Sequence, residues 1–398
     1  MRTPLQTALT RIDELGRLSD SPDYLVRTFL SPANLAAARL ISEWMSELGM
    51  EVSHSADGTV RGILAGENPT AAPLLIGSHL DTVIDAGKYD GALGIIAALA
   101  ALEKISLPFP VHVLAFSDEE GTRFQTTYLG SRSLIGPLDA ETLASKDADG
   151  ITIATAMIED GWHTGAAPIR YSAGECRGYI ELHIEQGRVL ETAGEPACVV
   201  SSIAGQSRLS ITLTGRADHA GTTPMALRRD ALTGAAECIL AAETLAQSQP
   251  PLVITVGKIS VHPGASNSIP QGATFTLDLR HPQDAERGSA LAALHEIFSR
   301  IAEKRALHLA WLPIQENSAT PCDPALTEKL LHSLTAITGS QRLLASGAGH
   351  DGVVLSKICP IAMLFIRCRD GLSHHPDEFA NAEDIEIGIK ILTHFLRS

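Results

Sequence analysis

The chain has 398 residues, with 46 acidic against 31 basic side chains, a formal net charge of -15, 44% apolar residues and 19% charged ones. That length exceeds one ordinary domain and points to two. The apolar share excludes a disordered chain, the acidic balance argues against a nucleic-acid partner, and no apolar run reaches the roughly 18 residues that a membrane span needs. The six cysteines form no C-x-x-C pair and read as free thiols of a reducing compartment. The first residues pattern as an amphipathic helix carrying acids, without the apolar centre of a leader, so a cytosolic protein is expected.

In chain order, Thr3–Leu18 and Pro32–Leu48 read as amphipathic helices, the second with Pro32 in its first turn. A strand pair follows near 50–53 and 60–65. Leu74-Leu75-Ile76 reads as a buried strand that breaks at Gly77 and delivers His79, Asp81 and Asp90 into a loop. An Ala/Leu/Ile helix starts at Leu93. The strand 111–116 ends in the three acids Asp118, Glu119 and Glu120, and the strand 177–187 carries His183. Taken alone, three acids in a row are an ordinary polar loop, and a histidine alternating with apolar residues is a structural one. Together they put metal-ligating residue types at the carboxyl ends of several strands, where α/β proteins build their sites.

From Ser207 the texture changes. The strand 209–214 alternates like a half-buried one, and the polar loop GRADHAGTT holds His219. A helix 230–246, strands 252–259 and 274–279, a helix 282–304 and a strand 306–312 follow. The order β-α-β-β-α-β matches a ferredoxin-like unit. The expected plan is a metal-dependent α/β/α catalytic domain, 1–205 and 317–398, with an inserted α+β domain at 206–316. The returning chain offers GHDG at 349–352, a strand 361–366, the segment GLSHHPDE with His374, and a last helix 383–396.

His79, Asp90, Glu120, His183 and His374 are enough for two metals if one carboxylate bridges. Mixed nitrogen and carboxylate ligands suit Zn²⁺, Mn²⁺ or Co²⁺. Read in order, GSHLDTV, KYDGALG, SDEEGTRF, LGSR, ELHIEQG, GRADHAGTTPM, SNSIP, DLR, SGAGHDG and GLSHHPDE resemble the motifs of the M20 metallopeptidase-like amidohydrolases, in their hydantoinase/carbamoylase branch. RTFLSPA, VIDAGKYDG and FSDEEGTRFQTTYLGS are most similar to the allantoate amidohydrolases of that branch.

The resemblance implies that Asp90 bridges two divalent ions. His79 and His183 would complete one position, Glu120 and His374 the other. Glu119 would be the general base that takes a proton from water, and Asp81 would orient His79 from behind. Arg280 would fork onto a substrate carboxylate, with Asn267 and Gln186 as polar partners. His219 would stabilise the oxyanion, from the same chain or from the other subunit of a homodimer built through the inserted domain, which would also close as a lid. The residue His375 after His374 leaves open which of the two ligates. His350 and Asp351 are expected to shape the pocket floor.

The implied reaction is hydrolysis of a linear ureido C–N bond in a small anionic substrate, with allantoate giving ureidoglycine, ammonia and carbon dioxide. N-Carbamoyl-L-amino-acid and ureidoglycolate hydrolysis are the alternatives, and a catalytically dead ureide-binding homologue is a distant one. The dead homologue would have lost Glu119 or a ligand, and here all are present.

Overall fold

The computed structural model describes residues 3–159 and 168–398. The chain divides into two compact units. The first holds Met1–Ser201, Cys322–Leu344 and Ala348–Ser398; the second holds Ser202–Pro321 and Ala345–Gly347.

The first unit is built on a mixed sheet. Its strands run in the order Glu51–His54, Val60–Leu64, Val111–Phe116, Leu74–His79, Gly178–Ile184, Ile361–Ile366 and Ala197–Ile203. Leu74–His79 is parallel to both of its neighbours, and Ile361–Ile366 is parallel to Gly178–Ile184. These central strands are buried along almost their whole length, which explains their near-continuous apolar sequence. Their even and odd positions face opposite ways. Leu74, Ile76, Ile180, Leu182, Leu364 and Ile366 join one large core with the helices Pro4–Leu15, Ala92–Ala101 and Ala382–Arg397. All ten residues of Ala92–Ala101 are buried, as expected of a helix apolar on every side. Truncating its fully buried Ile96 to Ala should cost about 2–5 kcal/mol. His79, Glu181 and His183 occupy the alternate positions and so face away from that core. Among the described residues no helix is long and apolar enough to cross a membrane.

The second unit has one antiparallel sheet, in the order His308–Asn317, Gly205–Thr214, Gly272–His281, Val253–Thr255. Ile259–His262 also pairs with Gly272–His281. The helices Ala231–Ser248 and Asp284–Lys304 share a core with Leu209, Ile211, Phe275 and Leu277. In sequence terms the strand order is fourth, first, third, second, which is the ferredoxin-like arrangement.

Several boundaries differ from the sequence reading. The strand expected over 252–259 is split around Gly257, and both pieces reach the same partner strand. The last strand runs to Asn317 rather than 312. Its outer half is exposed and a register shift falls at Pro313–Gln315, so no alternation marks it. The division between units falls at 202 and 321 rather than 206 and 316. The strand Ala197–Ile203 and the helix Pro324–Thr338 were not anticipated, although the helix carries plain signals. Asp323 caps it by accepting from the Leu326 N–H at 2.9 Å, a proline opens it, and Gly339 ends it at φ 77°.

Candidate metal centre

Parallel pairing sets the first two imidazoles. Leu74–Ile76 lies in register with Gly178–Ile180, and the same offset carries His79 alongside His183. Their rings stack with centroids 5.8 Å apart. Each ring is oriented from its Nδ1 side. The His79 Nδ1 lies 3.1 Å from the Asp81 carbonyl and 3.3 Å from Asp81 Oδ1, and the His183 Nδ1 lies 3.0 Å from the Ile184 carbonyl. The His79 Nε2 is thereby left for a ligand, while the His183 Nε2 accepts the Gly91 N–H at 3.3 Å and turns toward the same spot.

The loop after His79 returns Asp90 against them. Gly91 has φ 63°, and a Cβ there would stand only 2.6 Å from atoms of the His79 ring, far inside van der Waals contact. Only glycine lets the loop approach this closely. Asp90 Oδ1 lies 2.9 Å from His183 Nε2 and 3.5 Å from His79 Nε2. Oδ2 lies 3.2 Å from His374 Nε2, which in turn is 3.1 Å from Glu120 Oε1. One carboxylate thus separates two imidazoles on one side from an imidazole and a carboxylate on the other. Despite the short distance, the approach of His183 to Oδ1 is not that of a hydrogen bond, and this buried oxygen is unsatisfied. A buried orphan among converging acceptors is what a cation site shows.

Glu119 is buried beside them. His79, Glu119 and Glu120 each offer an atom within 4.8 Å of the others'. The next two peptide N–H groups after Asp118 are held by one side chain. Glu119 N–H donates to Asp81 Oδ1 at 2.9 Å and Glu120 N–H to Asp81 Oδ2 at 3.2 Å. Asp81 therefore fixes an imidazole and two acids together. Of the two adjacent histidines, His374 reaches Asp90 and Glu120, while His375 is exposed and accepts the Asp377 N–H.

The charges follow from this crowding. Burial alone would push the His79 imidazole down, but Asp81 and Asp90 carry it well above the ordinary value. Asp90 and Glu120 push His374 up to about 10. Burial would raise Asp90, yet His183, His374 and His79 together hold it well below the usual carboxylate range. Burial, then Glu120, pushes Glu119 well up. Without a cation the cluster retains protons that an ion would displace.

Gln186, expected as a substrate contact, donates to Asp90 Oδ2 at 3.0 Å and to Ser373 Oγ at 3.3 Å. Sequence reasoning missed a further group. Glu378, buried, accepts the N–H groups of Tyr89 at 2.8 Å and Asp90 at 3.0 Å, and its other oxygen lies 3.0 Å from Ser373 Oγ. The Ser373 hydroxyl lies 2.6 Å from Asp90 Oδ2. The one available signal was its place in the same segment as His374. His350 lies under the centre, its ring edge-on to His183 at 4.6 Å, and the adjacent Asp351 is fully buried with both oxygens unsatisfied.

The remaining expected residues belong to the second unit. His219 is exposed, and its Nδ1 accepts the N–H groups of Gly221 at 3.0 Å and Thr222 at 3.2 Å. The Ala220 N–H donates to the Asn267 carbonyl at 3.0 Å, so the two loops are tied together. Arg280 donates through Nε and Nη2 to Asp278 at 2.9 and 3.0 Å, and through Nη1 to the Gly347 carbonyl at 2.6 Å. One edge of its fork is taken by Asp278, and the third nitrogen is engaged by Gly347.

The model of peptidase family M20/M25/M40 matches residues 75–398. The chain is 40% identical to an allantoate deiminase of Arabidopsis thaliana, over 98% of this chain and 82% of the relative. It is 38% identical to an N-carbamoyl-L-amino acid amidohydrolase of Geobacillus stearothermophilus, over 96% of each. Among solved structures, an amidase of the hydantoinase/carbamoylase family from Burkholderia multivorans superposes with a TM-score of 0.92 at 33% identity, covering 98% of this chain and 97% of that one. With its paired imidazoles, shared carboxylate and mixed sheet, the chain belongs to peptidase family M20/M25/M40, in the hydantoinase/carbamoylase branch.

Proposed function

We propose that this chain is a metal-dependent amidohydrolase that cleaves a linear ureido C–N bond in a small anionic molecule, with allantoate as its substrate. The observation that carries this reading is Asp90, with two imidazoles against one oxygen and one against the other. His79, Asp90 and His183 would hold one divalent ion, and Asp90, Glu120 and His374 a second, supplying Lewis acidity to the scissile carbonyl. Zn²⁺, Mn²⁺ and Co²⁺ all suit this donor set.

The protein's own groups do the rest. Glu119 takes a proton from the attacking water and hands it to the leaving nitrogen. Asp81 keeps His79 in its ligating orientation and holds the backbone of both acids. In the second unit, Arg280 takes the substrate carboxylate, Asn267 supports it, and His219 stabilises the developing oxyanion. That unit acts as a lid, hinged near 204–207 and 313–316, and forms a homodimer. Support comes from the outer strand His308–Asn317, whose second edge is unpaired among the described residues and whose Leu312 and Ile314 are exposed. If His219 acts across such a dimer, mixing inactive Glu119→Gln and His219→Ala chains restores activity in heterodimers; no recovery places its action within one chain.

The second reading, N-carbamoyl-L-amino acid hydrolysis, is favoured by the nearly equal similarity to the Geobacillus relative. It uses the same centre. Ammonia release from allantoate and from N-carbamoyl-L-amino acids, with Mn²⁺ and with Zn²⁺, separates them. Turnover of allantoate alone supports the first reading, preference for a carbamoyl amino acid the second, and no turnover of either rejects both.

A further inference from the structure

Tyr128 has no part in the roles above. It precedes the helix Leu129–Ile135 with φ 64° and ψ 29°. A bulky residue rarely enters this left-handed region, and such strain collects at functional sites. Here the backbone is held on both sides. The Tyr128 N–H donates to the Glu119 carbonyl at 3.1 Å, and the Tyr128 carbonyl accepts the Arg132 N–H at 2.8 Å.

The side chain reaches back to the base. A Cβ on Gly349 would overlap the Tyr128 hydroxyl and would lie 3.7 Å from Glu119 Oε1. Hydroxyl and carboxylate thus border one spot, which a side chain at 349 would fill. Among the described residues no hydrogen-bond partner is seen for this hydroxyl. Nor is it one of the sealed, unsatisfied atoms, unlike the carboxylate of Asp351. Burial, then Glu119 and Asp351, pushes the phenol up, so the group stays a neutral hydroxyl.

We propose that Tyr128 is a specificity-determining residue whose hydroxyl meets the N–H-bearing end of the scissile ureido group and selects it over an acyl group. This rests on the amidohydrolase reading of the same centre. A general base stands within hydrogen-bond reach of the water that attacks the scissile carbon. A hydroxyl beside that base therefore borders the substituents of this carbon. In a ureide one of them is an amino group, which donates to the phenol oxygen. In an N-acetyl compound it is a methyl group, which leaves the hydroxyl unpaired. Sites built to bond an N–H discriminate strongly against analogues that lack it.

The test compares wild type, Tyr128→Phe and Tyr128→Leu as full-length, Mn²⁺-loaded proteins of matched melting temperature. The substrates are allantoate and an N-carbamoyl-L-amino acid. The matched N-acetyl-L-amino acid is assayed as substrate or, if uncleaved, by its inhibition constant. Both variants should lose about tenfold or more in kcat/KM on the ureides while the N-acetyl constant holds or improves. An active wild type whose ureide-to-acetyl ratio is unchanged in both variants overturns the role of Tyr128 alone. A wild type that turns over no ureide overturns the underlying reading, and this inference with it.

Discussion

The polar groups of the two units are built in opposite ways. In the first, His79, Asp81, Asp90, Glu119 and His183 are buried; the two rings and the Asp81 and Asp90 carboxylates are each held by a neighbour, and Asp81 holds the Glu119 backbone. In the second, His219 and Asn267 sit on exposed loops, and Arg280 is steadied mainly by Asp278. Burying so many charges is costly unless something compensates. A cluster kept at that cost is preorganised for ions, and its members should be unforgiving. The exposed set costs little to keep and should tune affinity. His374 belongs to the first set by its contacts but resembles the second by exposure, since 47% of its side chain remains accessible.

The largest effect that would sharpen this contrast is Asp90→Ala. It should abolish turnover and empty both ion positions, measured by elemental analysis; full occupancy in the variant would break the bridging role. Glu119→Gln should keep the ions and lower kcat by about 10²–10⁴-fold. Retained activity would remove Glu119 as the base. Arg280→Ala should act on the other side of the comparison, raising KM by about 10–100-fold with kcat little changed, the loss expected of one charge-assisted contact. An unchanged KM would take Arg280 out of the site.

The smallest effect concerns pH. In the metal-free protein His374 is pushed up to about 10 by Asp90 and Glu120, above an ordinary histidine value of about 6.5. The folded state binds that proton more tightly than the unfolded one. The stabilisation is therefore complete below about 6.5 and is lost as pH rises through about 10. Ion binding needs the neutral imidazole, so affinity should rise with pH across the same window. Calorimetric titration with Zn²⁺ near pH 7 in buffers of different ionisation heat should show proton release; none would mean that the histidines are already neutral.

Much of the centre was legible because strand periodicity and chain breaks place side chains. The buried run at Leu74 marks the strand that carries His79, although the expected break at Gly77 is absent: the strand pairs through Gly77 and Ser78 and ends at His79 itself. The strand 111–116 likewise leads into Glu119 and Glu120. What failed to show in sequence was contact over distance. Glu378 accepts from Tyr89 across 289 positions, and nothing local marks it as other than a surface acid. Nothing in the sequence sets Tyr128 apart within its motif until its φ is known. The outer strand His308–Asn317 escaped at its far end because exposure removes the alternation that periodicity detects. Gln186 is expected as a polar partner of Arg280, and the sequence gives no hint that its amide turns to Asp90 or that its φ is 55°.

The most direct test of the account is the number of divalent ions held per chain, by equilibrium dialysis against Mn²⁺ or Zn²⁺ at pH 8 followed by elemental analysis. The arrangement around Asp90 predicts two. A chain that holds none after dialysis would contradict the reading of this cluster as a metal centre, and a single ion would contradict Asp90 as a bridge.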